Sequence, residues 1–208
     1  MRILLVAATT FEIDYFLKNS KNVEVLICGV GIPETMYALT KKMLQENYDL
    51  VIQAGIAGTF SKKIKKGEVV LVKQDAFADV GVEEKGVFKT IFQLGFSDEN
   101  KFPFSNGWLV NHHEILQTTP LKVISAVTVN RLSDRKKQTL QLLKVFNADI
   151  ETMEGAALHY ICMQMNVPFL QMRSISNKVG DRNKNKWKIK EAVKNLNTEL
   201  IKLIQTLS

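Results

Sequence analysis

The chain has 208 residues, 46% hydrophobic and 24% charged, globular proportions that exclude a disordered chain, a collagen-like fibre and a coiled-coil rod. Apolar runs such as Ile3 to Ala8 fall far short of the roughly 18 to 20 residues that span a bilayer. The net charge of +7, from 28 basic and 21 acidic residues, gathers at Lys62, Lys63, Lys65 and Lys66 and again between Lys178 and Lys190; with no recognisable module or interleaved aromatics it reads as solvated loops, not a nucleic-acid surface.

In chain order, Arg2 to Thr9 is predicted as a buried strand and Phe11 to Lys18 as a short helix. Val23 to Cys28 is a second strand, ending at Gly29-Val30-Gly31. Pro33 suits the first turn of a helix reaching about Glu46, where its missing N–H costs nothing. Asp49 to Ala54 is a third strand, closed by Gly55-Ile56-Ala57-Gly58. Glu68 to Lys73 and Leu121 to Val127 read as further strands, and the irregular stretch from Asp75 to Pro120 as a loop-rich insertion at the site. Ser133 can cap a helix from Asp134 to Phe146. Met153 to Met165 fits a helix, Pro168 to Ile175 a strand, and Trp187 to Leu207 a long amphipathic helix. The alternation predicts one α/β domain over residues 1–208, a three-layer sandwich with a central mixed, mainly parallel sheet and helices on both faces.

The first residues meet Glu12 and Asp14 too soon for a signal peptide, so the expectation is a mature start. Cys28 and Cys162, far apart in apolar surroundings, read as buried free thiols of a reducing compartment. A soluble cytoplasmic protein is expected, with neither nucleic acid nor membrane as a partner.

Ligands of open α/β sheets bind beyond the carboxyl ends of strands, which directs attention to four places: Thr9 to Glu12, Gly29 to Gly31, Gly55 to Gly58 and Ser174 to Asp181. Gly29-Val30-Gly31 lacks the third glycine of a dinucleotide fingerprint and has Glu34 in its place, a charge that would repel a pyrophosphate. Glu12, and Glu151 with Glu154, are carboxylates that helix N-termini favour without any function. Glu154, however, precedes Gly155-Ala156-Ala157, which leaves room for close packing or a ligand. Asn177 closes a strand where both its amide atoms could meet a planar ligand. His112-His113 cannot readily face one ion, so no metal is expected, and no G-x-S-x-G context marks a nucleophile.

Taken together, Ala7-Ala8-Thr9-Thr10-Phe11-Glu12, Cys28-Gly29-Val30-Gly31, Gln53 to Gly58, Gly67-Glu68-Val69-Val70, Thr152-Met153-Glu154-Gly155-Ala156-Ala157 and Arg173-Ser174-Ile175-Ser176-Asn177 resemble, in order along nearly the whole chain, the nucleoside phosphorylase and nucleosidase superfamily. Within it the chain is most similar to the futalosine hydrolases, on Ala76 to Gly81, Val127-Thr128-Val129-Asn130, and Asn177 followed by Arg182-Asn183 and Trp187. That resemblance implies a nucleoside phosphorylase-like fold, hydrolysis of futalosine to hypoxanthine and dehypoxanthinyl futalosine in menaquinone biosynthesis, no metal or organic cofactor, and a homodimer or higher homo-oligomer.

Carried over by position, the resemblance implies that Glu12 activates water, Glu154 holds the ribose hydroxyls with Thr152 and Met153 against the sugar, and Ile56, Ala57 and Gly58 form a loop beneath it. Asn177 stands at the purine, Trp187 covers the base, and Val129 with Asn130 line its pocket. Asn177 favours a 6-oxopurine, because an amide can donate to O6 where adenine-specific relatives carry Asp. Gln53 replaces an arginine with which phosphorolytic relatives hold phosphate, which favours water as nucleophile. Ile56 stands where adenine-specific hydrolases carry a serine, leaving Glu12 to another partner or the backbone. Arg182, Lys184 or the insertion could meet the substrate's benzoate. The alternatives are a methylthioadenosine-type nucleosidase, an inosine-type phosphorylase and a non-catalytic nucleoside-binding protein.

Overall fold

The computed structural model describes residues 1–19, 23–132, 136–181 and 183–207. The strands are β1 (Ile3–Ala7), β2 (Glu24–Ile27), β3 (Leu50–Thr59), β4 (Val69–Asp75), β5 (Gly81–Glu84), β6 (Val87–Thr90), β7 (Leu109–Val110), β8 (Lys122–Thr128), β9 (Ile150–Thr152) and β10 (Phe169–Lys178). The helices are α1 (Thr10–Asn19), α2 (Ile32–Gln45), α3 (Ile115–Thr118), α4 (Lys136–Phe146), α5 (Gly155–Gln164) and α6 (Ile189–Leu207). Ser133 and Asp134, the expected start of α4, and Arg182, the suggested benzoate contact, lie outside the described residues.

β1, buried at every position, shows why its run is continuously apolar: both faces of the sheet are covered. Ile3, Leu5 and Ala7 face one way, with Leu50, Ile52 and Ala54 of β3 and Leu170 and Met172 of β10, against Ile13 and Phe16 of α1 and Leu196, Leu200 and Ile204 of α6. Leu4 and Val6, with Val51 and Phe169, face the other way against Leu39 and Met43 of α2 and Leu158 and Ile161 of α5. The period-two alternation of strands thus sorts the chain into the expected three layers.

The sheet is mixed and mainly parallel. β1 pairs in parallel with β2 and β3, β3 with β10, and β8 with both β4 and β9, whereas β10–β4 and β3–β9 are antiparallel. Because β3 bonds β1, β10 and β9 at once, β3-β10-β4-β8-β9 close into a ring at one end of the sheet. Strand β3 does not stop at Ala54 as expected: Gly55 to Thr59 continue it, paired with Arg173 to Lys178. The helix expected from Met153 begins only at Gly155, as α5, after the short strand β9 and a bend at Met153 and Glu154.

The stretch from Asp75 to Pro120 holds a separate β5–β6 hairpin, β7 and α3. It contributes no residue to the cleft where the exits of β1 and β10 meet, contrary to expectation. β4 runs antiparallel to β10, so the chain leaves β4 away from the end of β10 that carries Asn177. Cys28 and Cys162 are buried free thiols. Among the described residues no helix is long and apolar enough to cross a membrane.

Candidate active site

The exits of β1, β3, β9 and β10 converge on a partly open cleft of about 240 Å³. Thr9 and Glu12 enter from β1, Ile56, Ala57 and Gly58 from β3, and Glu151, Thr152, Met153 and Glu154 from β9. Asn177, Val179, Asp181 and Trp187 come from the exit of β10, and Phe11, Val30 and Leu132 complete the rim.

Nine of the expected positions therefore share this cleft: Glu12, Ile56, Ala57, Gly58, Thr152, Met153, Glu154, Asn177 and Trp187. Val129 and Asn130 are not among the residues that line it. The Val129 N–H bonds to the Thr152 carbonyl at 3.0 Å, extending the ladder past β8, and its side chain stays in a core with Val127 and Ala148. The Asn130 side chain accepts from the Ile32 N–H at 3.2 Å. Leu132, two residues beyond Asn130, lines the cleft.

Glu12 is buried in the first turn of α1. Its Oε1 accepts from the Ile56 N–H at 3.0 Å, and its Oε2 from the Thr9 N–H at 3.2 Å and the Thr9 hydroxyl at 3.3 Å. The backbone of residue 56 thus supplies the partner that an isoleucine side chain cannot. Those bonds take three of roughly four lone-pair sites of a carboxylate, leaving one for a ligand or water.

Glu154 sits at the N-cap of α5 yet makes no side-chain cap there. Its Oε1 instead accepts from the Gly31 N–H at 3.1 Å, on a turn where Gly31 adopts φ +92°, which glycine takes without strain. Its Oε2 lies 3.7 Å from Nη1 of Arg173, an arginine only 1% exposed. Burial pushes the Glu154 carboxyl above the ordinary carboxylate range; the Arg173 charge and the Gly31 N–H pull it back, and the Glu12 charge raises it.

Arg173 is a residue of the site that sequence reasoning misses. The available signal was a cation in the middle of a strand, where burial obliges it to find an anion. Its Nη2 donates to Oε1 of Gln53. A methyl group on Gly55 would lie 2.2 Å from Arg173 Nη1 and 3.0 Å from Glu12 Oε1. Gly55 is thus the gap across which the guanidinium faces Glu12 as well as Glu154.

Behind Glu154 the sequence supplies a buried hydroxyl relay. The Ala156 N–H donates to Thr128 Oγ1 at 2.8 Å and the Gly155 N–H to Thr152 Oγ1 at 3.3 Å, satisfying the first turn of α5. Thr128 donates onward to Asp75 at 2.9 Å, so the Thr152 hydroxyl, 2.9 Å from Thr128, donates to it. Gln171 donates to the other Asp75 oxygen at 3.1 Å. Complete burial raises the Asp75 carboxyl to about 7 against the pull of these donors.

At the other end of the cleft Asn177 is half-buried. Its Oδ1 accepts from the Ser176 hydroxyl at 2.7 Å and its Nδ2 donates to the Lys178 carbonyl at 2.9 Å. Trp187 Nε1 donates to the Asp181 carbonyl at 2.7 Å, tying the indole across its own loop. Among the described residues no Lys or Arg side chain lines the cleft. His112 and His113 border a different depression, and no group of three or more possible metal-ligating His, Cys, Asp or Glu is gathered among the described residues.

A mixed α/β sheet whose strand exits present two buried carboxylates to one cleft defines the class, and the chain belongs to the phosphorylase superfamily, whose family model it matches over residues 7–207. By its relatives it is an enzyme of the N-glycosyl hydrolase kind, a nucleosidase. It is 29% identical to the futalosine hydrolase of Thermus thermophilus, over 79% of this chain and 73% of that protein. It is 23% identical to the 5'-methylthioadenosine/S-adenosylhomocysteine nucleosidase of Buchnera aphidicola, over 94% and 79%. In fold it matches the crystal structure of the Helicobacter pylori nucleosidase of the latter kind, crystallised with butyl-thio-DADMe-Immucillin-A, at a TM-score of 0.81 and 17% identity, covering 99% of this chain and 98% of that one.

Proposed function

We propose that this enzyme hydrolyses the N-glycosidic bond of futalosine, releasing hypoxanthine and dehypoxanthinyl futalosine, the step of menaquinone biosynthesis that its resemblance implies. Glu12, with one lone-pair site open, takes the proton of the attacking water. Glu154 holds the ribose hydroxyls and, with Glu12, stabilises the positive charge that grows on the sugar. Asn177 donates to O6 of the departing purine, Trp187 and Leu132 border the base, and N7 takes its proton from solvent, since a neutral amide is a poor acid. No metal or cofactor is required.

The observation that carries the reading is an amide, Asn177, in the same cleft as the two carboxylates; a 6-oxopurine offers that amide an acceptor, whereas a 6-aminopurine would present a donor. Water is favoured over phosphate because, among the described residues, no Lys or Arg side chain lines the cleft and Arg173 beneath it is engaged by Glu154 and Gln53, so those residues offer no clamp for a dianion. A second reading, a methylthioadenosine-type nucleosidase, draws support from the exposed apolar rim of Phe11, Val30 and Leu132, which suits a thioether.

Chromatography of products from futalosine, methylthioadenosine and inosine, each with and without phosphate, tests both. Hypoxanthine from futalosine, at a rate indifferent to phosphate, is the expected result. Adenine from methylthioadenosine alone would replace it with the second reading, and phosphate-dependent release from inosine would overturn hydrolysis itself.

A further inference from the structure

A helix that carries a general base must also aim it, and α1 does so through a break. The helix departs from helical geometry at Ile13 (φ −125°, ψ 17°), the residue after Glu12. In an unbroken helix the Glu12 carbonyl would accept from the N–H of Phe16, four residues on. Here both groups bond to one side chain on α6. Asn197 Nδ2 donates to the Glu12 carbonyl at 2.8 Å, and Asn197 Oδ1 accepts from the Phe16 N–H at 2.8 Å. The remaining Nδ2 hydrogen goes to the Val193 carbonyl of α6 at 2.7 Å. The partners fix which way the amide faces, because a carbonyl can only accept and an N–H only donate.

Asn197 is fully buried between Leu196 and Leu200, on the helix face that packs against Ile13 and Phe16. Helix packing alone would favour an apolar residue there, since burying an amide costs unless its bonds are made. Asn197 makes them to the two main-chain groups on either side of the break.

We propose that Asn197 is a positioning residue for hydrolysis: its amide is spliced into the first turn of α1, holds that turn open, and so points the Glu12 carboxylate at the Ile56 N–H and the cleft. This rests on the reading of Glu12 as the group that activates water. Without the amide, Glu12 O and Phe16 N–H can close on each other, and the regular turn redirects the side chain that leaves from Glu12.

The test is a double-mutant cycle with Asn197→Leu and Glu12→Gln, read as kcat and KM on the nucleoside the enzyme cleaves, with the slowest variants measured in single turnover. Asn197→Leu should lower kcat by roughly 30-fold or more while KM stays within about threefold. In the Glu12→Gln background the same substitution should change the residual rate by less than about threefold, because there is no base left to aim. An equal loss in both backgrounds, or a kcat within threefold of the parent, would overturn the proposal. Should Asn197→Leu lack a cooperative unfolding transition, Asn197→Ser carries the same cycle, and its smaller hydroxyl should give an intermediate loss that again disappears without Glu12. A Glu12→Gln enzyme as fast as the parent would remove the water-activating reading itself, and this inference with it; a slow Glu12→Gln enzyme with additive Asn197 effects removes only the inference.

Discussion

At the end of the cleft assigned to the sugar, Glu12 and Glu154 stand at the exits of β1 and β9, both buried, and each is bonded to a backbone N–H from a distant segment. At the end assigned to the base, Asn177, Asp181 and Trp187 are half-buried and bond mainly within their own loop. The first arrangement is held by the packed sheet and cannot shift without disturbing it. The second can change residues at little cost to the fold. Reaction type should therefore follow the first end and substrate choice the second.

The largest expected effect tests the rigid end. Glu12→Gln should lower kcat by roughly 10²- to 10⁴-fold with little change in KM, as steady-state kinetics would show; a loss confined to KM would place Glu12 in binding only. Next, Arg173→Met leaves the Glu154 carboxylate buried beside no cation, and urea unfolding should show a loss of about 3 to 5 kcal/mol. A neutral result would mean the pair does not hold that end together.

The adaptable end should respond in selectivity instead of stability. Asn177→Asp should move the ratio of kcat/KM for 6-oxo over 6-aminopurine nucleosides toward the amino compounds by roughly 10- to 100-fold, with the melting temperature nearly unchanged. An unchanged ratio would take base choice away from this residue. Trp187→Ala should raise KM about fivefold through lost stacking of about 1 kcal/mol, leaving kcat alone.

The smallest effect concerns the relay behind Glu154. Asp75 rises from its ordinary 3.8 to about 7 in the fold, so the folded chain keeps a proton that the unfolded chain releases. Its contribution to stability is complete below about pH 4 and is lost as pH rises through about 7. Unfolding followed from pH 5 to pH 8 should show that decline, and Asp75→Asn should flatten it; an identical slope in the variant would assign the pH dependence elsewhere.

Much of this comparison was legible in the sequence, for identifiable reasons. β1 announces itself by an apolar run too continuous for a one-sided sheet, and α6 by its amphipathic spacing. Glu12 and Asn177 drew attention by their place beyond strand ends, and Glu154 by the small residues Gly155-Ala156-Ala157 that follow it. The extension of β3 was hidden because Gly55 and Gly58 read as a turn, although Gly55 lacks a side chain to make room for Arg173 and Glu12 inside a strand. β9 is only three residues long, below what periodicity can detect. Val129 and Asn130 stay out of the cleft's lining because the ladder persists past β8, and which residue first leaves a ladder is a tertiary fact. Asn197 interrupts the apolar stripe of Val193, Leu196, Leu200 and Ile204, which marks a buried amide, but the main-chain groups it bonds belong to a distant helix and are a tertiary fact.

The pairing of β3 with β10 has a consequence for the newborn chain. Gln53 and Arg173, bonded in the finished sheet, are 120 residues apart, an interval of roughly 6 to 24 s at ordinary ribosome speeds. Throughout that time a long apolar strand has β1 on one side and an open edge on the other, the kind of edge on which chains stick to one another. The last third of the chain thus supplies the strand that covers this edge as well as Arg173 and Asn177, so synthesis halted before β10 would yield an inactive protein that is also prone to aggregate.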